Sequence, residues 1–372
     1  MPIYWGDLHG HSNVSDGRRS PDEYYTSARD DARLDFCALT DRLDEAPASR
    51  NGLMPEAGWA QLKDAAQRFN EPGRFVTLMG FQRSIPSWDG HSPGNLCVYY
   101  KGPGGAMPRP RHAQRDWLRP RAVDVAAEMR DLWADLAKTD CLKAVVHCAS
   151  ARQGYTWTQA PAQYAIDLLE MYSKWGACEA PAAPFPIVDG AGHRRREGGT
   201  AHDALAAGFT PGLIAGSGTH LGRPGSNLWE NDWGNAARYD KSGLTAVYAD
   251  ELSRPALFDA LKARHCYATT FERIELFFGL NDCVMGDVLT APTRLRAHVR
   301  ARGTRPIKRI EIFSNGEIVR HKIGGREELE LYFDETPPAK PTWYYARVTQ
   351  AGEDYAWSSP IWVRPEPAPD PA

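Results

Sequence analysis

The 372-residue chain lacks any Cys-x-x-Cys pair, and its seven cysteines, Cys37, Cys97, Cys141, Cys148, Cys178, Cys266 and Cys283, are scattered. That spacing argues against a structural zinc site or a disulfide framework and fits small buried hydrophobes. An excess of charge is missing too. The formal net charge is −3, which leaves no nucleic-acid or anionic-membrane footprint. Only His193-Arg194-Arg195-Arg196 is locally basic, and it reads either as a solvated loop or as a trap for an anionic substrate. No apolar run is long enough to span a bilayer. The segment Met1-Pro2-Ile3-Tyr4-Trp5-Gly6-Asp7 has neither the basic n-region nor the apolar h-region of a signal peptide. Repeats at solenoid spacing are absent. The expectation is a cytoplasmic protein with no nucleic-acid or membrane partner, long enough for one large domain and a smaller one.

What is present is alternation. Apolar runs of strand length, at 3–8, 35–40, 75–80, 96–100, 143–147, 166–172, 213–217 and 244–249, are separated by amphipathic stretches starting near Pro21, Glu56, Val123, Thr200 and Ser253. This is the pattern of a β/α protein with a mostly parallel, buried sheet. Ser20 before Pro21, with Glu23 three residues on, reads as a capping box with proline at the first helical position. Ser253 before Pro255 reads similarly. From Arg273 onward short strand-like runs replace the alternation, at 294–302, 309–314, 317–322, 329–333, 343–349 and 355–363, with Asn315-Gly316 as a type I′ hairpin turn. These fit a small all-β sandwich of immunoglobulin-like size. The boundaries expected are 1–272, 273–364 and a frayed tail at 365–372.

The chemistry starts at His9-Gly10-His11. Residues i and i+2 of an extended segment project to one side, so both imidazoles can meet one ion. Asp16 would add a harder oxygen. Two histidines in a polar loop is the bland alternative, and the pair gains weight only with partners elsewhere. Candidates fall at the C-terminal ends of the strands, where a β/α barrel keeps its active site: Asp41 after the second, His147 after the fifth, Glu170 late in the sixth and His220 after the seventh. His91 precedes another strand and can reach inward from a loop.

Taken in order, Tyr4-Trp5-Gly6-Asp7-Leu8-His9-Gly10-His11-Ser12, Ser15-Asp16-Gly17, Leu39-Thr40-Asp41, Gly80-Phe81, Gly90-His91, Glu170-Met171-Tyr172-Ser173-Lys174 and Ser217 through Gly225 resemble the polymerase and histidinol phosphatase (PHP) superfamily of metal-dependent phosphoesterases. Within it, the likeness is to a largely uncharacterised bacterial branch with an appended β-domain. The resemblance implies a distorted seven-stranded (β/α) barrel holding up to three metal ions. It implies His9 and His11 as ligands of the first ion, His91 and His147 of the second, and Asp16 and His220 of the third.

Three other positions depart from the family pattern. Its Thr-Asp-His is here Thr40-Asp41-Arg42, Gly-Phe-Glu is Gly80-Phe81-Gln82, and Ser-Asp-x-His is Ser217-Gly218-Thr219-His220. An imidazole becomes a guanidinium that repels cations, a bridging carboxylate becomes an amide, and an anionic ligand is deleted. A swing of about three charge units argues against a full cluster, because carboxylates must offset each ion's charge. The expectation is one divalent ion (Zn, Mn or Fe) on His9, His11 and a further ligand such as His147, or no ion at all. The enzyme reading is a hydrolase of a small phosphate- or carboxylate-bearing substrate. Arg42, Arg83, Arg152 and Arg223 would neutralise that substrate, and Asp16, Asp41, Arg42 and His220 would serve catalysis. Each arginine has a surface ion pair as its alternative. Lyase, isomerase or cyclase chemistry on the same scaffold, or a metal-free ligand-binding protein, are the competing functions. For the last, Trp88, Trp157, Trp175, Trp229 and Trp233 would form an aromatic wall, unless they are packing plates.

Overall fold

The computed structural model describes residues 1–44, 53–85, 94–108, 125–150, 154–159, 164–187, 195–228, 231–232, 235–236 and 239–366. It is a mixed α/β fold with a large sheet and few helices. Strands β1 (Ile3–Asp7), β2 (Phe36–Leu39) and β3 (Val76–Ile85) run parallel. Strand β4 (Gly94–Tyr100) is antiparallel to both β3 and β5 (Cys141–Val146). Strands β6 (Leu168–Ser173) and β7 (Gly212–Ala215) then continue in parallel. On the other side of β1 lie two antiparallel strands, β8 (Gly243–Tyr248) and β9 (Cys266–Thr270). Nearly every residue of these strands is buried, as expected where both faces of a parallel sheet are covered.

The ladder curls. Thr245 Oγ1 in β8 donates to Ala215 O (2.6 Å) and accepts from Ala215 N (3.0 Å), and Gly243 N donates to Gly216 O (3.0 Å). These bonds set β7 against β8. From β4, the Tyr99 hydroxyl crosses the interior to Leu8 O at 2.9 Å. The C-terminal ends of the parallel strands therefore converge on one mouth.

Helices α1 (Pro21–Thr26), α2 (Glu56–Arg68), α3 (Val125–Leu136), α4 (Ala201–Ala206) and α5 (Arg254–Lys262) start close to where the sequence places them; Val123 itself lies outside the described residues. The Ser20–Glu23 capping box is formed, with Glu23 N donating to Ser20 Oγ (3.3 Å) and Ser20 N to Glu23 Oε2 (2.9 Å). Replacing Ser20 by alanine is expected to cost about 1 kcal/mol, read as a lower urea midpoint with an unchanged slope. Ser253 likewise caps α5, its Oγ accepting from Ala256 N at 3.3 Å.

Beyond residue 273 run β10 (Glu275–Leu280), β11 (Leu295–Ser314), β12 (Glu317–Glu335), β13 (Thr342–Gln350), β14 (Asp354–Ser358) and β15 (Ile361–Arg364). The Asn315-Gly316 turn has φ of 47° and 91°, as a type I′ hairpin requires. The pairs of short strands expected at 294–314 and 317–333 are instead two long strands. Register shifts between Arg302 and Arg309 let the two halves of β11 face different partners, β10 first and β13 later. The reverse holds at 355–363, where one expected strand is two. Pro360 offers no N–H, and Ser359 Oγ turns aside to donate to Cys266 O (2.6 Å) and accept from Leu213 N (2.9 Å).

The two regions share hydrogen bonds. Strand β14 pairs with β9, with Tyr267 opposite Ser358. Glu179 accepts from Arg347 Nη1 (2.7 Å) and the Tyr345 hydroxyl (2.6 Å), while Arg347 Nε reaches Glu311 Oε2 (2.9 Å). Six of the seven cysteines are buried, Cys283 is half-buried, and all are free thiols.

Candidate metal centre

After β1 the chain stays extended and is clasped on both sides. Gly10 N donates to Thr40 Oγ1 (3.2 Å), Thr40 N to Gly10 O (2.9 Å), and His11 N to Thr219 O (2.9 Å). The alternation that puts His9 and His11 on one side also selects Asp7, which the motif reading quoted but gave no role. Asp7 is buried, and its carboxylate accepts from His9 N (3.1 Å), Ser217 N (2.9 Å) and Gly225 N (2.8 Å). It ties the His9 segment to the 217–225 loop. Burial raises its pKa against those hydrogen bonds.

Asp41 plays a similar part for the next turn. It accepts from Ser12 N (2.9 Å), Ser12 Oγ (2.7 Å), Ser15 N (3.1 Å) and Ser15 Oγ (2.5 Å), so it fixes the turn that carries Asp16. Burial, with the nearby Asp16 charge, pushes its pKa up to about 6 against the bonds from the Ser15 hydroxyl and the Ser12 hydroxyl and amide.

Two trios of potential ligands result, His9 with His147 and Glu170, and His11 with Asp16 and His220; within each, the ligand atoms lie within 4.8 Å of one another. His9 Nδ1 is 2.6 Å from Glu170 Oε2, and His147 Nδ1 is 3.3 Å from Glu170 Oε1. His147 holds a left-handed φ of 53°, a conformation that costs a non-glycine residue about 1–2 kcal/mol. Burial opposes a charged His9 ring, yet Glu170, aided by Asp7 and Gln82, lifts its pKa above the ordinary value. Burial lowers His11 and His147 well below the usual range, with His220, Arg42 and His9 adding to the effect. Both shifts favour the neutral imidazole, the state in which histidine ligates metals, in one ring of each trio, whereas Glu170 favours the charged form of His9. The first trio, two imidazoles and one carboxylate whose ligand atoms lie close together, is a donor set that single-ion catalytic sites use, so its residues fit one ion.

The second trio is different because Arg42 stands in it. Arg42 Nε is 2.9 Å from Asp16 Oδ2, and Arg42 Nη1 donates to Ser84 Oγ at 3.0 Å. Asp16 also faces His11 Nδ1 (3.6 Å) and His220 Nδ1 (3.4 Å). The carboxylate that a second ion needs already has a permanent cation beside it. Gln82 is fully buried, its Oε1 3.0 Å from His9 Nε2. Gly218 has a φ of 60°, and a Cβ there would meet the Trp175 ring at 3.0 Å. The backbone itself therefore asks for glycine.

The structure thus gathers His9, His11, Asp16, Arg42, His147 and His220 at one mouth, with His9 and His11 in different trios. Glu170, noted in sequence only as a carboxylate late in a strand, joins His9 and His147. Arg83 lies apart, engaged with Glu128 Oε1 (2.5 Å) and Asp44 Oδ2 (3.5 Å). Arg223 lines a groove with Ser27, Asp31, Glu272 and Arg273. His91, Arg152, His193, Arg194, Trp88, Trp229 and Trp233 lie outside the described residues. Trp157 is buried and bonded to Gly199 O (3.2 Å). Trp175 stands edge-on to His147 and His220, 6.3 Å from each ring, and forms a wall between the trios.

Comparison with known proteins places this arrangement in sparsely described company. Residues 210–300 match the family described as "Protein of unknown function (DUF3604)". An uncharacterized protein of Chlamydia muridarum (strain MoPn / Nigg) is 30% identical over 384 residues, which cover 97% of this chain and 57% of that protein. An uncharacterized Chlamydia pneumoniae protein is 28% identical over 382 residues with the same coverage. The chain thus spans little more than half the length of these relatives. A solved two-domain protein of Bacteroides vulgatus ATCC 8482, described as containing a predicted PHP-like metal-dependent phosphoesterase, is 14% identical. It covers 96% of this chain and 95% of its own, with a TM-score of 0.47. The chain resembles the PHP superfamily in the order of its motifs, and its curated relatives are uncharacterized.

Proposed function

We propose that this chain is a metal-dependent hydrolase acting on a small phosphate- or carboxylate-bearing substrate, with one divalent ion (Zn, Mn or Fe) held by His9, His147 and Glu170. The observation that carries the reading is the contrast between the trios: the Glu170 carboxylate of one contacts its own two imidazoles, whereas the Asp16 carboxylate of the other already has the Arg42 guanidinium beside it. The PHP resemblance supports the same reaction class. On that resemblance we read the curled sheet as a distorted (β/α) barrel over residues 1–272. We read 273–364 as an immunoglobulin-like sandwich, 365–372 as a tail, and the setting as cytoplasmic.

A divalent ion on the first trio supplies Lewis-acid polarisation. The remaining work falls to the chain. Arg42 offsets the negative charge of the substrate and of the transition state. Asp16 faces Nδ1 of the partly open His220 ring, and in this reading that Asp16–His220 pair carries a proton to or from the reacting group. Trp175 narrows the mouth between them.

Protein purified without chelators is expected to contain about one ion per chain and to hydrolyse generic phosphate esters in a chelator-sensitive manner. No bound metal, with no gain from added Mn, Fe or Zn, would sink the proposal. A second reading, a metal-free ligand-binding protein, draws on the 2.6 Å His9–Glu170 contact, which can satisfy both groups on its own. It predicts ligand binding that chelators leave intact.

A further inference from the structure

Two buried amide groups beside the first trio have no assigned role. Gln82 and Asn95 are 0% and 1% exposed, and both side-chain nitrogens, Gln82 Nε2 and Asn95 Nδ2, lack a hydrogen-bond partner among the described residues. A buried donor left unpaired forfeits its hydration with nothing in exchange, so each such group calls for an explanation.

Their place in the sheet supplies one. In the β3–β4 ladder Asn95 lies directly opposite Ser84, and Gln82 opposite Cys97. Directly opposed residues of an antiparallel pair project from the same face, and Gln82 and Ser84 share a face of β3. That face is the mouth of the sheet, because Gln82 contacts His9 and Ser84 Oγ accepts from Arg42. On the other side of β4, Asn95 is paired with Val146, the residue before His147. Asn95, Gln82 and Arg42 therefore bring two amide nitrogens and a guanidinium to one wall. Asp16 takes up one side of the guanidinium and Asp44 accepts from Ser84 N, but the two amide nitrogens have no acceptor among the described residues, and the partner that such donors beside a guanidinium suit is an oxyanion.

We infer that Asn95 and Gln82, with Arg42, form an oxyanion-binding subsite that seats the anionic group of the substrate by direct hydrogen bonds. The subsite shares the pocket of the proposed hydrolase but needs no ion, so each idea can fail without the other. Asn95 is a substrate-contacting residue here, separate from both ligand trios.

The test titrates the chelator-treated full-length protein with inorganic phosphate and, in a parallel arm, with acetate. Tighter phosphate assigns a phosphate-bearing substrate and tighter acetate a carboxylate. Wild type is expected to bind. Asn95→Leu, similar in size but without donors, is expected to weaken that binding about tenfold. Asn95→Asp, which sets a negative charge against the anion, should abolish it. The anion should raise the thermal midpoint of wild type and leave that of Asn95→Leu unmoved, while the metal content of Asn95→Leu matches wild type. If Asn95→Leu folds poorly, Gln82→Leu reads the same loss from the other amide. Unchanged affinity in these variants, or wild type that binds neither anion, overturns the inference. Absence of metal from the purified protein defeats the hydrolase reading alone.

Discussion

Glu170→Gln is expected to strip the protein of its metal, lowering affinity at least about a hundredfold, since loss of even an outer-shell partner costs ten- to a hundredfold. Glu170 is the sole carboxylate of the first trio and contacts both its imidazoles, at 2.6 Å and 3.3 Å. The amide is nearly isosteric, so packing survives while the charge that offsets a divalent cation disappears. Hydrolysis should fall with the metal, and near-native circular dichroism would separate this from unfolding. Metal analysis checks the first part, and retention of a full ion in Glu170→Gln would place the site elsewhere.

Arg42→His is expected to do the reverse, raising the metal content from about one ion per chain to about two. The change removes the guanidinium 2.9 Å from Asp16 and supplies an imidazole next to His11, Asp16 and His220. Asp16 would then be available to a second cation. The same variant should bind inorganic phosphate more weakly, because it loses a fixed positive charge from the anion wall. Titration with Mn or Zn reads the stoichiometry. A value that stays at one would show that Arg42 is not what keeps the second trio from holding metal. Restoring an aspartate at Gly218 is a poorer route, since φ at 60° and Trp175 at 3.0 Å make any side chain there strained.

The regular elements were legible because their signals are local. Apolar runs bounded by turn residues marked eight of the strands described in the first 250 residues, and Ser20-Pro21 with Glu23 marked a helix start. The Asn315-Gly316 turn was equally plain. The long strands of the C-terminal region were not, since the expected runs stop at 302 and 322 while cross-strand pairing carries the ladder past those points, with register shifts between Arg302 and Arg309.

The site divides in the same way. Sequence alone supplied a pool of candidate ligands, because His9, His11, Asp16, His147, Glu170 and His220 carry their chemistry in their residue types and fall at or just after strand ends, with His91 offered from a loop outside the described residues. The resemblance to the PHP pattern implies, further, that Gln82 and Gly218 remove negative charge and that Arg42 adds a positive one. Only the tertiary structure decided the grouping, His9 with His147 and Glu170 and His11 with Asp16 and His220, since that depends on where a curled sheet brings distant strands together, as it does for His9 and Glu170, 161 residues apart. It likewise turned Asp41 into the anchor of a turn, bound Arg83 to Glu128, and set the Asn95 amide on the wall of the mouth. Burial and pairing are properties of neighbours in space, and neither periodicity nor spacing along the chain contains them.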